Sequence, residues 1–273
     1  MTESPDQKSS WQEGFPSQLQ PLLREANWDA VTIGRSGMHV FHVADGYLKI
    51  APQGLTPGND LHTEKMRLEW LKGRLPVPQI YYYGKNASFE YLYLSEIQGT
   101  MACDRRFQED MPSLIALLAE ALHMVHAVEA QSCPFTRPLQ PRLEEIQQSI
   151  SRGHIDNAKF VTDHQGLSPQ ARYEQLERLL PASNTLSFTH GDFCLPNIII
   201  DRQKRRINGL IDWGYGGIAD HHEDLASACW SLGYNFASSW IPSLLAAYGL
   251  ESIDQKRLTF YQLLDDLSHY YFS

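Results

Sequence analysis

The chain has 273 residues, 42% of them hydrophobic and 20% charged, an ordinary globular make-up with length enough for two domains of roughly 100 and 170 residues. Its net charge of −9 argues against nucleic acid, which calls for a basic face, and favours cationic small molecules. No stretch approaches the ~20 apolar residues that cross a bilayer, and Met1 to Glu13 lacks the basic-then-apolar layout of a secretory leader, so a cytoplasmic protein without a membrane partner is expected.

In chain order, Val31 to Gly34, Val40 to Ala44 and Gly46 to Ile50 predict three short strands, with turns at Arg35-Ser36-Gly37 and Asp45-Gly46. Leu61, Met66, Leu68, Trp70 and Leu71 predict a helix from about Asp60 to Lys72, ended by Gly73. Pro76 and Pro78 forbid more helix, and Ile80 to Tyr83 with Tyr91 to Leu94 predict a hairpin. From about Gln98 the pattern turns helical. Pro112 to His126 carries Leu114, Leu117, Leu118, Leu122 and Val125 close to one face. Further helices are predicted around Leu143 to Ser151, Ala171 to Leu180, Asp224 to Leu232, Ile241 to Tyr248 and Asp254 to Leu267. The change of composition near Glu96 to Thr100 divides the chain into a small antiparallel-sheet lobe, residues 1–97, and a larger helical lobe, residues 98–273, an α+β protein.

The densest chemistry lies in His190-Gly191-Asp192-Phe193-Cys194-Leu195-Pro196-Asn197 and Ile211-Asp212-Trp213-Gly214. An Asp and an Asn stand five positions apart, and a second Asp ends an apolar run fifteen positions further on. Phosphoryl transfer uses these parts: one Asp takes the proton of the attacking hydroxyl, and an Asn and a second Asp hold the metal ions that bridge the nucleotide phosphates. Asp192 is then the candidate base, with Asn197 and Asp212 as ligands of the oxygen type that Mg²⁺ takes. Ile198 to Ile200, the turn Asp201 to Arg205 and the strand Ile207 to Ile211 predict a hairpin that returns Asp212 to the side of Asn197.

Lys49 on a strand and Glu64 near the start of the next helix match the pair by which such sites hold phosphates, and Gly34-Arg35-Ser36-Gly37-Met38 is a loop that could cover them. Cys103, Cys133, Cys194 and Cys229 lack the paired spacing of a disulfide framework or zinc site, and Cys194 beside the anion Asp192 is expected to stay a thiol. His221 and His222 lack a two-histidine helix signature and are read as structural, with a metal-dependent hydrolase as the competing reading. Asp224 is read as an acid opening a helix, and Trp230, Trp240, Tyr81 to Tyr83 and Tyr270-Tyr271 chiefly as packing.

Taken together, these residues resemble the aminoglycoside phosphotransferases, particularly the 3'-hydroxyl kinases, which share the protein-kinase-like fold. The resemblance runs from Thr32-Ile33-Gly34 through Cys133-Pro134-Phe135 and His164-Gln165-Gly166-Leu167 to Leu263-Leu264-Asp265. It implies an ATP- or GTP-dependent, Mg²⁺-requiring kinase acting on a hydroxyl of an aminoglycoside, and hence antibiotic resistance. The first lobe would bind nucleotide and the second would carry the catalytic loop and acceptor site. Lys49 would contact the phosphates and Glu64 would pair with it. Phe41 would stack on the adenine, Glu96 with Ile97 would form the hinge that bonds the base, and Ser36, Gly37 and Met38 would cover the phosphates. Asp192 would be the base, Asn197 and Asp212 the metal ligands, and His190 and Asp220 buttresses of the site.

The acceptor side departs from the family. Tyr215 stands where an Arg is common, and Trp230, Ser231 and Tyr234 stand where members carry an Arg and acids. Asp265-Asp266 match a terminal acidic pair, but the chain runs on from Leu267 to Ser273. The candidate acceptor residues are Asp156, Asp163, Tyr215, Trp230, Asp265 and Asp266. Each charge-assisted hydrogen bond contributes about 1.5–3 kcal/mol, so a reduced set of acids weakens the hold on a polycation. Two other readings are a kinase of another hydroxylated antibiotic or metabolite, and a nucleotide-binding module without turnover.

Overall fold

Alternating apolar and polar residues build the first sheet, with one face of every strand turned to a core. The computed structural model describes residues 15–23, 28–31, 38–55, 58–155, 160–161, 166–250 and 254–271. The chain divides into two units, Met1–Lys72 with Val77–Ile97 and Gly73–Pro76 with Gln98–Ser273.

In the first unit, β1 (Trp28–Ala30), β2 (His39–Val43), β3 (Gly46–Pro52), β4 (Ile80–Lys85) and β5 (Phe89–Ser95) form an antiparallel sheet in the order β1-β2-β3-β5-β4. Phe41 pairs with Leu48, Leu48 with Tyr93 and Ile50 with Tyr91. This face is buried with Phe15, Leu19 and Leu23, the last on the short helix α1 (Gln20–Leu23). Burying each such side chain contributes about 1.5–3 kcal/mol.

Helix α2 (Leu61–Leu71) belongs to the other face. Asp60 accepts from Thr63 N at 2.7 Å, and Glu90 Oε2 accepts from Leu61 N and His62 N at 3.1 Å, so two carboxylates satisfy the free N–H groups of its first turn. The helix ends at Gly73, whose φ of 80° suits glycine. The predicted turn at Asp45-Gly46 lies one residue earlier, at Ala44-Asp45, with Ala44 at φ 54°. Gly46 already pairs with Ser95, and a Cβ there would collide with the Leu94 carbonyl, so its smallness serves close approach of strands. The first strand lies at Trp28–Ala30 rather than from Val31 onward, and the rest of its predicted span falls outside the described residues.

In the second unit, α3 (Met111–His126) starts with Asp110 accepting from Ser113 N at 3.2 Å and buries its predicted leucines. Helices α4 (Leu139–Ser151), α5 (Pro169–Arg178), α6 (His222–Asn235), α7 (Ile241–Ala247) and α8 (Gln255–Tyr271) follow, with α8 packed on α6 and α7 on α3. Helix α8 continues past the predicted end at Leu267 as far as Tyr271. Three strands went unpredicted because they are short: β6 (Thr100–Met101), β7 (Leu186–Thr189) and β10 (Gly217–Asp220). The first joins β8 (Ile198–Asp201) and β9 (Arg206–Leu210) in the order β6-β8-β9, and β7 pairs with β10. Among the described residues no helix is long and apolar enough to cross a membrane.

His221 precedes α6, where the open N–H groups carry partial positive charge. Burial, then the neighbouring His222 and His126, push its imidazole down from 6.5 to about 4. The unfolded chain therefore binds the extra proton between these values, so stability is full above about pH 6.5 and declines as the pH falls toward 4. His221→Asn should flatten the pH dependence of the urea midpoint in that window. A wild-type slope retained by the variant would contradict this account.

Candidate active site

In the first unit, Lys49 Nζ donates to Glu64 Oε1 at 2.7 Å and Oε2 at 2.8 Å, and the two side chains are only 10% and 2% exposed. A buried ion pair is stable only when geometry is good and both partners are present, so β3 and α2 hold each other in register through it. Phe41 corrects the expectation of an adenine-stacking ring. It is 1% exposed, and its register partner is Leu48, so it points away from Lys49 into the core, edge-on to Trp28. On β3 itself the aromatic ring that shares the Lys49 face is Tyr47, two residues earlier, in contact with the His42 ring at 5.0 Å. Burial, then Glu96, raise its phenol. Strand parity, counted back from Lys49, is the signal that finds Tyr47. Glu96 follows β5, its N–H donates to Asp45 O at 3.1 Å, and its carboxylate lies 3.5 Å from His42 Nε2. Ile97 ends this unit. Met38 immediately precedes β2, whereas Ser36 and Gly37 lie outside the described residues.

The second unit brings Asp192, Asn197 and Asp212 together. Ile198 pairs with Leu210 across the hairpin, and Ile211 N donates to Asn197 O at 3.0 Å, so Asp212 follows a residue bonded directly to Asn197. Asn197 Nδ2 donates to Asp192 O and to Asp192 Oδ2, both at 3.0 Å. That leaves the amide oxygen as the side-chain atom of the type a hard cation takes. His190, fully buried, bonds Ile211 O through Nε2 at 3.0 Å and lies against Trp213 with ring centroids 4.2 Å apart. Asp212 has φ 68°, a left-handed backbone that Asp tolerates better than most residues and that is common where side chains are aimed at a site. Burial, then the charge of Asp212, raise the Asp192 carboxyl.

Asp224 does more than open a helix. It lies within the first turn of α6, and its carboxylate accepts from His190 N at 2.7 Å and Gly191 N at 2.8 Å and bonds His126 Nε2 at 3.2 Å. Arg137, absent from the sequence reading because no local motif marks it, stands over the Tyr215 ring at 5.4 Å. It shares the Glu223 carboxylate with Arg142, at 2.8 and 2.9 Å, and burial lowers its guanidinium. Burial, then Asp192, push the Cys194 thiol far up, in keeping with an inert cysteine. Asp220, His221 and His222 offer ligand atoms within 4.8 Å of one another. Asp220 is already bonded by Thr185 N and His222 N at 2.9 Å and by His222 Nδ1 at 2.8 Å, with Arg257 3.7 Å away, which fits a structural cluster.

Of the candidate acceptor residues, Trp230, Asp265 and Asp266 line one hollow, Tyr215 lies under Arg137, and Asp156 and Asp163 fall outside the described residues. Asp266 is paired with Arg172 at 2.5 Å.

An acid held by an amide beside a second acid in one unit, and a buried lysine paired with a helix acid in the other, are residue types that phosphoryl transfer uses, and comparison with known proteins puts the chain in the class of two-lobed, kinase-like α+β phosphotransferases. It belongs to the phosphotransferase enzyme family, matched over residues 32–261. It is 31% identical over 258 residues to the aminoglycoside 3'-phosphotransferase of Niallia circulans, covering 92% of this chain and 97% of that one. To the streptomycin 3''-kinase of Streptomyces griseus it is 32% identical over 263 residues, covering 89% and 92%. Among solved structures it is similar to aminoglycoside phosphotransferase APH(3'')-Id of Streptomyces rimosus, with a TM-score of 0.79 and 27% identity over 92% of this chain and 96% of that one. That protein has also been solved with ADP and streptomycin. The chain is thus a phosphotransferase with an alcohol group as acceptor.

Gly191 has φ 80°, and a Cβ there would meet Arg137 Nη1 and, at 2.5 Å, Tyr215 O. Gly191→Ala should therefore lose about 1–3 kcal/mol of stability and at least about tenfold in kcat through displacement of Asp192. Unchanged kinetics in the purified variant would show that the loop tolerates the Cβ.

Proposed function

We propose that the protein transfers the γ-phosphoryl group of ATP or GTP, with Mg²⁺, to a hydroxyl of an aminoglycoside antibiotic, and so confers resistance in the cytoplasm. The observation that carries this reading is the pair of hydrogen bonds that Asn197 Nδ2 donates to Asp192 O and Oδ2, tied to the residue before Asp212 by the bond from Ile211 N to Asn197 O. Asp192 accepts the proton of the acceptor hydroxyl, and the Asn197 amide fixes its carboxylate for that role. Lys49, held by Glu64, binds the nucleotide phosphates. Asn197 and Asp212 would hold Mg²⁺. The donor set fits, because an amide oxygen and a carboxylate are hard ligands and the two acids in the site repel each other. When bound, the ion supplies neutralisation of phosphate charge. Tyr47, Glu96 and Ile97 form the base-binding end, and the ADP complex of the Streptomyces rimosus relative supports a nucleotide there.

Asp192→Asn should lower kcat by about 10²–10⁴-fold while ADP binding persists. Near-normal steady-state turnover would remove Asp192 as the base. Lys49→Ala should mainly raise the nucleotide KM, and an unchanged KM and kcat would exclude phosphate binding by this lysine. A panel of ATP and GTP against aminoglycosides and unrelated hydroxyl compounds tests the acceptor. Tyr215, Trp230 and Tyr234 favour the second reading, a kinase of another hydroxylated compound, which transfer only to non-aminoglycosides would establish.

A further inference from the structure

Two glycines leave open the passage by which Arg137 reaches the catalytic loop. Thr136 forms a bridge with Ile218 of β10, which fixes the backbone from which the Arg137 side chain departs. A Cβ on Gly217 would stand 3.3 Å from Arg137 Cγ, and one on Gly191 would collide with Arg137 Nη1. The side chain therefore runs from Gly217 to Gly191, the residue before Asp192, and its guanidinium lies over the Tyr215 ring, 5.4 Å from the centroid. Tyr215 follows Asp212 by three positions, and its carbonyl oxygen would stand 2.5 Å from the same Cβ on Gly191. One side chain thus lies against both the segment that carries the candidate base and the segment that carries the second acid.

Compensation of Glu223 does not account for this arrangement. Arg142 alone takes both oxygens of that carboxylate, Nη2 on Oε1 at 2.9 Å and Nη1 on Oε2 at 3.0 Å, the fork that holds such a pair most firmly. Arg137 Nη2 shares Oε1 at 2.8 Å, whereas its Nη1 is buried and has no hydrogen-bond partner among the described residues. A buried donor left unpaired costs about 1–3 kcal/mol, so a residue serving stability alone would be better apolar here. Gly191 is instead held from two directions. Its N–H donates to Asp224 Oδ1 at 2.8 Å, and the guanidinium, whose charge Asp224 also favours, packs where its Cβ would be. Burial raises the Tyr215 phenol, the charge of Arg137 opposes this, and the charges of Asp192 and Asp212 add to it, so the ring that Arg137 covers stands within reach of both acids.

We infer that Arg137 is a positioning residue for phosphoryl transfer: it packs Gly191 and Tyr215 against one planar cation and so sets Asp192 relative to Asp212. The inference rests on the kinase reading above and is independent of which hydroxyl is the acceptor. The test is steady-state transfer from ATP to the acceptor that wild type turns over in the panel described above, by wild type, Arg137→Lys and Arg137→Met, with ADP binding and urea midpoints measured alongside. Lysine keeps the charge but lacks the planar fork that covers a ring and reaches a carboxylate at once. Both variants should lose about 10–100-fold in kcat while both KM values and the ADP affinity stay within about threefold, because the loss is one of alignment rather than of binding. A structural arginine would instead lower the urea midpoint and leave kcat per folded molecule unmoved. Arg137→Lys keeps a cation beside Glu223 and decides the matter even where Arg137→Met does not fold. An unchanged kcat in either folded variant, or a loss carried by the KM values, overturns the inference and leaves the kinase standing. Absence of wild-type transfer to every compound of the panel, with ADP still bound, overturns the kinase reading and the inference with it.

Discussion

Asp224 puts a carboxylate where no water reaches, and the segment from His190 to Asp192 is built around it. Burial alone would push its pKa up. The hydrogen bond and charge of His126, with the His190 imidazole and N–H, outweigh burial and hold it below the usual carboxylate range. Successive N–H groups of His190 and Gly191 aim at this one anion, a concave arrangement that needs the left-handed backbone found at Gly191. The far side of His126 bonds the Tyr248 hydroxyl at 2.8 Å, so α3, α6 and the end of α7 meet at one buried charge. Removing any partner would leave polar groups unmatched in the interior, which costs about 1–3 kcal/mol each. The orientation of Asp192 is therefore a property of the helical core rather than of the loop alone.

The placement of the candidate reaction residues was legible in the sequence because each stands on an element with a local signature. Ile198 to Ile200 and Ile207 to Ile211 flank a polar turn, and the hairpin they form returns Asp212 to Asn197 as expected. Lys49 and Glu64 were legible as a strand lysine and the acid of the next helix, and they meet. Phe41 was misjudged for a reason that strand geometry supplies. Choice of a ring by type ignored the register that pairs Phe41 with Leu48 and gives Tyr47 and Lys49 a common face. Asp224 was legible as an acid opening α6, but its hold on the His190–Gly191 segment, and Arg137 altogether, could not be read, since they arise from contacts with residues 34 and 86 positions away that no periodicity announces.

Tyr215 shows how such contacts alter a site. The family resemblance leads one to expect an arginine at that position, and the ring there is instead covered by a guanidinium from another segment. Arg137 reaches it because its N–H donates to Ile218 O and Ile218 N donates to Phe135 O, which ties residues 135–137 to β10. Glu223, shared by Arg137 and Arg142, compensates the buried charge. The surroundings of Tyr215 thus draw on at least three segments, the one carrying Arg137, β10, and α6 with Glu223.

The two halves of the second unit's chemistry are held by different means. Asp192, Asn197 and Asp212 are positioned by backbone hydrogen bonds, the β8–β9 hairpin and a buried carboxylate, so their geometry withstands exchange of surface side chains. The hollow that holds the candidate acceptor residues Trp230, Asp265 and Asp266 is made of side chains of α6 and α8, helices that also bury Leu225, Ala228 and Leu264. Ser231 serves the loop through Leu195 N, while its neighbour Trp230 is open to solvent, so adjacent positions of one helix face the loop and the solvent. The loop from Cys194 to Leu195 is held by Ser227 and Ser231, not by the stacked rings of Trp230 and Tyr234. A strong reaction signal and a weak acceptor signal in the same sequence are the expected consequence of that division.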